Sequence, residues 1–386
     1  MTDELAPRVA VIGGGQLARM MAEPAAALGI PLRLLAEAEG VSAAQVIVDH
    51  EVGDHTNLDD LRRITKGCVA VTFDHEHVPT EHLHALEADG LAVRPGPEAL
   101  VHAQDKGVMR EVLGGLGVPC PRNAIVGDVA EVEAFGLPCV LKTTRGGYDG
   151  KGVWFVRTVS DCAEAFENAG RTGVRILAEE LVDFRRELSA LVARSPSGQV
   201  AAWPVVASEQ RDGICREVIA PAPDLDPDLA VEAQQIAMRI AGELGVTGVL
   251  AVEMFETNDG RVLVNELAMR PHNTGHWTQD GSVTSQFENH LRAVLDLPLG
   301  SPDARAPWTV MVNILGGTRS TGRLYDGYPH AMARDPRLRV HLYGKELRPG
   351  RKVGHVNAYG DDLDDCLERA RHAAAWFAGD LGEESE

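Results

Sequence analysis

The chain has 386 residues, 44% hydrophobic and 24% charged, with a formal net charge of −20. The balance is that of a globular protein, and the length exceeds one ordinary core, so two or three units are expected. A strongly acidic chain with dispersed Lys and Arg repels polyphosphate backbones, and no stretch approaches the roughly 18 apolar residues that span a bilayer, which argues against nucleic-acid and membrane partners. The opening MTDELAPR lacks a secretory pattern, so a cytoplasmic location is expected. Six cysteines without CxxC or metal-ligand spacing read as free thiols.

The first unit opens with an apolar strand, a glycine turn and a helix, RVAVIGGGQLARMMAEPAAALG, followed by a second strand ending near Glu37. This is a βαβ start. Gly13-x-Gly15-x-x-Ala18 satisfies the dinucleotide fingerprint, with Glu37 near the distance expected of a ribose-binding acid. The turn predicts amides aimed at a ligand phosphate more generally than it predicts NAD. VAVTFDHEHVP continues the doubly wound pattern. Its carboxyl end carries Glu76, either a ligand contact or part of a solvated strand end. Helices are expected over 97–117, around Gln104-Asp105-Lys106.

From about 119 to 182 a small αβ unit centres on LKTTRGGYDGKGV, residues 141–153, between the strands CVLK and VWFV. Four glycines and three basic residues in one polar loop predict a flap over phosphates, with a plain hairpin turn as the alternative. It is not a Walker A loop, since Gly146 and Gly150 bracket three residues and Lys151 precedes a glycine. The run Ile176–Val182 offers backbone near Leu181 for an adenine edge, and Glu187 is spaced to accept from a ribose hydroxyl.

Val249 to Trp277, VLAVEMFETNDGRVLVNELAMRPHNTGHW, carries the densest chemistry. Asp259-Gly260 between two alternating apolar runs predicts a hairpin. With those two as the loop, partners sum to 519 and Glu253 faces Glu266. Opposed like charges destabilise a bare ladder, so a cation is expected between them, and magnesium with phosphate oxygens suits two carboxylates beside Asn265. The alternative is an exposed acidic edge. The loop that follows, with Arg270, His272, Asn273 and His276, has the composition of a binding loop. In the closing unit, from about 299, Lys345, Arg348, Arg351 and Lys352 form either a cationic pocket for an anion or a solvated hairpin tip.

Taken together, Gly15–Met20, KTTRGGYDGKG (142–152), NELAMRPHNTGHW (265–277) and the segments 343–345 and 350–355 resemble the ATP-grasp superfamily. Within it they resemble the 5-(carboxyamino)imidazole ribonucleotide synthases of purine biosynthesis. The resemblance implies an α/β ATP-grasp enzyme with a doubly wound pre-ATP-grasp domain (1–118), a small α+β lid (119–182), a large subdomain (183–298) and a strand-rich C-terminal domain (299–386). It implies Mg²⁺ on Glu253 and Glu266, and ATP held by Lys106, Lys142, the flap from Gly147 through Tyr148, Asp149, Gly150, Lys151 and Gly152 to Val153, Glu179, Glu180, Leu181, Val182, Glu187, Gln210, Asn265 and Glu266. Arg270, His272 and Asn273 would hold bicarbonate. Gln16, Leu17, Glu76, Tyr148, Asp149, Lys345, Arg351 and Lys352 would surround aminoimidazole ribonucleotide, and the implied assembly is a homodimer. Ala18 and Met269 depart from the glycine and proline expected there. The competing readings are another ATP-grasp ligase, an NAD-dependent oxidoreductase and a non-catalytic nucleotide-binding subunit.

Overall fold

The computed structural model describes residues 6–147, 151–211, 213–317 and 323–381. The N-terminal unit is a five-stranded parallel sheet of β1 (Val9–Ile12), β2 (Leu32–Ala36), β3 (His50–Val52), β4 (Ala70–Phe73) and β5 (Ala92–Val93), in the order β3-β2-β1-β4-β5. Strands β1 and β4 are buried at every position, as a sheet covered by helices on both faces requires. The order reverses between β1 and β4. Ligand crevices form at such a point, outside the carboxyl ends of the strands.

The lid is a four-stranded antiparallel sheet, β6 (Asn123–Val126), β7 (Cys139–Thr143), β8 (Val153–Val156) and β9 (Ile176–Glu180), in the order β6-β9-β7-β8. The remaining nine strands form one sheet: β10 (Phe184–Arg194), β11 (Val200–Ala202), β12 (Val206–Arg211), β13 (Ile214–Ala220), β14 (Gly248–Thr257), β15 (Val262–Ala268), β16 (Trp308–Leu315), β17 (Arg339–Leu342) and β18 (Lys352–Gly360). Strand β16 pairs with β13 as well as β18, so the C-terminal strands extend the large subdomain's sheet rather than forming one of their own.

The β14–β15 hairpin differs from the expected one in a way that matters. Thr257 N donates to Arg261 O and Gly260 sits at φ +79°, which makes a three-residue loop of Asn258, Asp259 and Gly260. Pairs near the loop accordingly sum to 518, as in Met254 with Val264. A β-bulge then inserts Asn265 and restores 519, so Glu253 still faces Glu266. The bulge is what brings Asn265 and Glu266, adjacent in sequence, to the same cleft.

Two cores bind the units together. One runs from Ile12 and Phe73 through Met109 to Leu250 and Met254, and the other joins Val11, Met21 and Leu34 to Phe287, Leu291 and Tyr343. Burying Phe287 or Leu291 contributes about 2 kcal/mol each, which fixes the helix Gln286–Val294 against the N-terminal sheet. The contact is clamped by His290, whose Nδ1 accepts from Val249 N (3.1 Å) while Nε2 meets Thr72 Oγ1 (2.7 Å). Burial pushes this ring down to about 3, so it is a neutral strut. Among the described residues no helix is long and apolar enough to cross a membrane.

Candidate active site

A cleft of about 1860 Å³ opens where the three units meet. It exceeds the roughly 300–1,000 Å³ of a site for one small ligand, which leaves room for a nucleotide beside a second substrate. Of the residues singled out from the sequence, Tyr148, Asp149 and Gly150 lie outside the described residues. The others named as ligand contacts line the cleft, except Gly152, which closes the base of the flap, Glu37, which lies at the N-terminal glycine turn, and His276, which is fully buried.

Glu253 and Glu266 meet cationic or polar partners from other elements. His272 Nε2 lies 3.2 Å from Glu253 Oε1, and Lys106 Nζ bonds Glu266 Oε1. Burial works to raise the Glu253 pKa, yet His272, Lys106 and Arg270 hold it below the usual carboxylate range. The pair with the Asn265 amide oxygen is therefore a hard, anionic donor set suited to Mg²⁺. Among the described residues no group of three or more His, Cys, Asp or Glu could hold a metal, so phosphate oxygens and water would have to complete an octahedron.

Behind this pair lies a buried relay. Glu179 is 2% exposed and accepts from Arg110 Nε (2.5 Å) and Lys142 Nζ (2.6 Å). Burial raises its pKa, but the two cations outweigh that and keep it ionised. Its side chain is thus committed to the relay, and its main chain pairs with β6 and β7 on either side. Arg110 also donates to Val264 O (2.8 Å) and Asn265 O (2.7 Å), which pins the bulge. Lys142 Nζ reaches Asn265 Oδ1 at 2.9 Å. Arg110 was not foreseen, although its place one helical turn beyond Lys106 was a readable signal.

The loop after β15 carries the next group. Arg270 Nε donates to Glu76 Oε2 (2.8 Å), and Met269 N donates to Glu76 Oε1 (3.2 Å). A proline at 269 has no N–H to give, so this departure from the expected motif adds a bond. Burial favours a protonated Glu76, and Arg270 reverses that. Beside them the amide of Asn273 is buried with the Cys215 thiol as a weak partner and no nitrogen or oxygen in hydrogen-bond geometry. Such atoms are costly unless a ligand satisfies them.

Another wall of the cleft is built from the lid and β10. Asp105 caps the helix Lys106–Gly115 through Gly107 N and Val108 N and accepts from Arg145 Nε (2.8 Å), while Lys106 N donates to Thr144 O (2.8 Å). These contacts seat the flap's base. Gly152 is required at φ +71°, since a Cβ there would meet Thr143 Oγ1 at 2.5 Å. Phe155 and Leu181 stand exposed, and Phe184 stacks on Phe255 at 4.8 Å, giving a slot with apolar faces. Glu187 lies at its edge, its pKa pushed up to about 7 by burial and then by Glu253.

The opposite end is cationic. Lys345 Nζ bonds Gln16 Oε1, and Arg351 and Lys352 line the same wall. Here the N-terminal glycine turn departs from expectation. Gly14 N donates to Glu37 Oε2 (3.0 Å) and Ala18 N to Asp74 Oδ1 (2.8 Å), so two of the amides expected to face a phosphate are taken by the chain's own carboxylates. A Cβ on Gly15 would lie 2.0 Å from Asp74 Oδ2. The glycines admit those side chains rather than a pyrophosphate, and Glu37 is not available for a ribose. The NAD reading loses its basis.

A doubly wound domain, an antiparallel lid over a carboxylate-bearing hairpin and lysines from two units define an ATP-grasp enzyme. Comparison with known proteins agrees. The family model "ATP-grasp domain" matches residues 111–287, "Ribonucleotide synthetase preATP-grasp domain" matches 7–104, and "Phosphoribosylaminoimidazole carboxylase C-terminal domain" matches 309–369. The N5-carboxyaminoimidazole ribonucleotide synthase of Mycobacterium tuberculosis (strain ATCC 25618 / H37Rv) is 56% identical over 383 residues, covering 98% of this chain and 89% of the relative. That of Corynebacterium ammoniagenes is 53% identical, covering 95% and 91%. Among solved structures, the Thermotoga maritima synthetase superposes with a TM-score of 0.83 at 35% identity, covering 96% and 98%. The Aspergillus clavatus enzyme with ADP and 5-aminoimidazole ribonucleotide gives 0.87 at 30%, covering 97% and 99%. The chain belongs to the N5-carboxyaminoimidazole ribonucleotide synthase family.

Proposed function

We propose that the chain carboxylates 5-aminoimidazole ribonucleotide at its exocyclic amine, using bicarbonate and ATP and releasing ADP and phosphate. The observation that carries this reading is one cleft in which the Glu253/Glu266 pair, the buried Asn273 amide beside Arg270, and the Lys345–Lys352 cations stand along one path. A bicarbonate oxygen attacks the γ-phosphorus and ADP leaves, giving carboxyphosphate. The ribonucleotide's amine then bonds to the carboxyl carbon, directly or as released CO₂, and phosphate departs.

Each wall has a part in this. Lys106 and Lys142 hold the phosphates, Glu187 the ribose, and the Glu179–Val182 backbone the adenine. Arg270 and His272 hold bicarbonate, and Asn273 both donates to it and accepts from it. Such chemistry asks for positioning and charge neutralisation rather than covalent help from the protein. Mg²⁺ on Glu253 and Glu266, when bound, offsets charge on the phosphates. The lid excludes water from an intermediate that water would destroy. Gln16, Leu17, Glu76, Lys345, Arg351 and Lys352 receive the ribonucleotide, with Tyr148 and Asp149 assigned to it from the resemblance. A cytoplasmic homodimer completes the reading and is checked by light scattering.

The test is ADP release with Mg²⁺, ATP and bicarbonate, with and without the ribonucleotide. Strong stimulation is expected, and none would reassign the acceptor. Arg270→Ala is expected to lose bicarbonate-dependent turnover while ATP still binds.

A further inference from the structure

The loop that carries Arg270, His272 and Asn273 has left the sheet, because β15 ends at Ala268, yet its backbone is held as a ladder would hold it. Gln286, the first residue of the helix Gln286–Val294 and 0% exposed, supplies the partner. His272 N donates to Gln286 Oε1 (2.8 Å), and Gln286 Nε2 donates to His272 O (2.7 Å). The second hydrogen on Nε2 reaches His276 Nδ1 at 3.0 Å. Only this orientation of the amide gives every close contact one donor and one acceptor, so it assigns the flip and places the His276 proton on Nε2.

The surroundings are shaped to this side chain. A Cβ on Gly275 would lie 2.3 Å from Gln286 Oε1 and 2.8 Å from Leu191 Cδ2, so glycine is needed there for the amide to reach the loop. Thr278 Oγ1 accepts from Gln286 N (2.9 Å) and donates to Gly275 O (2.6 Å), which fixes the helix start relative to the loop. On the far side His272 Nδ1 contacts Thr274 Oγ1 (2.8 Å), which leaves Nε2 for Glu253. Gln286 therefore sets where His272 stands relative to Glu253, and with it the neighbouring Asn273 amide.

We infer that Gln286 is a positioning residue for the carboxyl-donor subsite, acting through the His272 main chain without touching substrate. The inference rests on the bicarbonate assignment made above. A shift near 1 Å in such a loop is enough to lower turnover about 10²-fold. The slot between Phe155, Leu181 and Phe184 shares none of the bonds of this clamp, whereas His276 packs on Tyr343 and His355 beside the cationic wall.

The experiment uses Gln286→Met, which keeps the length and apolar bulk of the side chain but removes all three bonds, and Gly275→Ala, which pushes the amide away by a different route. Steady-state kinetics are taken for bicarbonate, ATP and the ribonucleotide, with ATP affinity by titration and amide hydrogen exchange across 268–278. The expected result in both variants is a tenfold or greater loss in kcat/KM for bicarbonate. The dissociation constant for ATP stays within about twofold, and protection of the His272 amide is lost. Equal losses for all three substrates with weakened ATP binding would reduce Gln286 to a structural role. Unchanged bicarbonate kinetics with His272 deprotected would overturn the inference outright. The wild-type enzyme's own bicarbonate dependence, read in the same assay, tests the proposed reaction separately, and hydrogen exchange reports the clamp whichever substrate the loop holds.

Discussion

Two pairs of carboxylates stand in or beside this cleft, and their partners separate them. Glu253 and Glu266 oppose each other across a hairpin and are met by the side chains of His272 and Lys106, from other elements. Glu37 and Asp74 sit around the N-terminal glycine turn and accept from backbone amides of Gly14 and Ala18, which cannot move away. Acidic residues held by side chains form a site that can exchange partners. Those held by fixed amides are part of the scaffold, however much the glycine spacing suggests a ligand.

The largest effect is expected where that exchange is prevented. Glu253→Gln or Glu266→Gln removes one anionic oxygen donor with little change of shape, and the lost charge stabilisation amounts to several kcal/mol, or at least about 10²-fold in ADP release. A steep Mg²⁺ requirement in the variants, measured at saturating ATP, would accompany it. Full turnover by either variant would break the comparison. On the scaffold side Gly15→Ala must displace the Asp74 carboxylate, so a loss of about 1–3 kcal/mol in stability is expected from a denaturant midpoint. NADH should remain unbound by wild type and variant alike.

How far each region was legible follows the same division. Alternation and Asp-Gly identified the β14–β15 hairpin, and the Glu253–Glu266 pairing stands, but for a partly different reason. A three-residue loop and a bulge at Asn265 cancel, and bulges leave no mark in apolar periodicity because they are settled by cross-strand partners, here Arg110 on the Val264 and Asn265 carbonyls. The glycine turn was readable as a turn, yet what fills it depends on Asp74, which lies 59 residues beyond Gly15 and reaches it only through parallel pairing of β1 with β4. Gln286 was invisible for a like reason: an apolar helix face gives no hint that its first residue serves another loop's backbone.

The smallest effect is also the sharpest in sign. Glu187 titrates at about 7 because it is buried and because Glu253 faces it, with Lys142 opposing both. Its folded-state pKa lies above the ordinary carboxyl value of 4.5, so its contribution to stability is complete below that value and is lost as pH rises through about 7. Relative to Glu187→Gln, the ligand-free protein should lose about 1–2 kcal/mol across this window, a figure already reduced for solvent in the open cleft. With Glu187 in its proposed ribose-binding role, the hydroxyl would donate to the ionised form, so ATP binding should release a proton near neutrality and tighten with rising pH. Calorimetry in buffers of different ionisation enthalpy would register that proton. Glu253→Gln removes the facing charge and should shift the release to lower pH, and an unshifted profile would mean that Glu253 and Glu187 do not share one electrostatic environment.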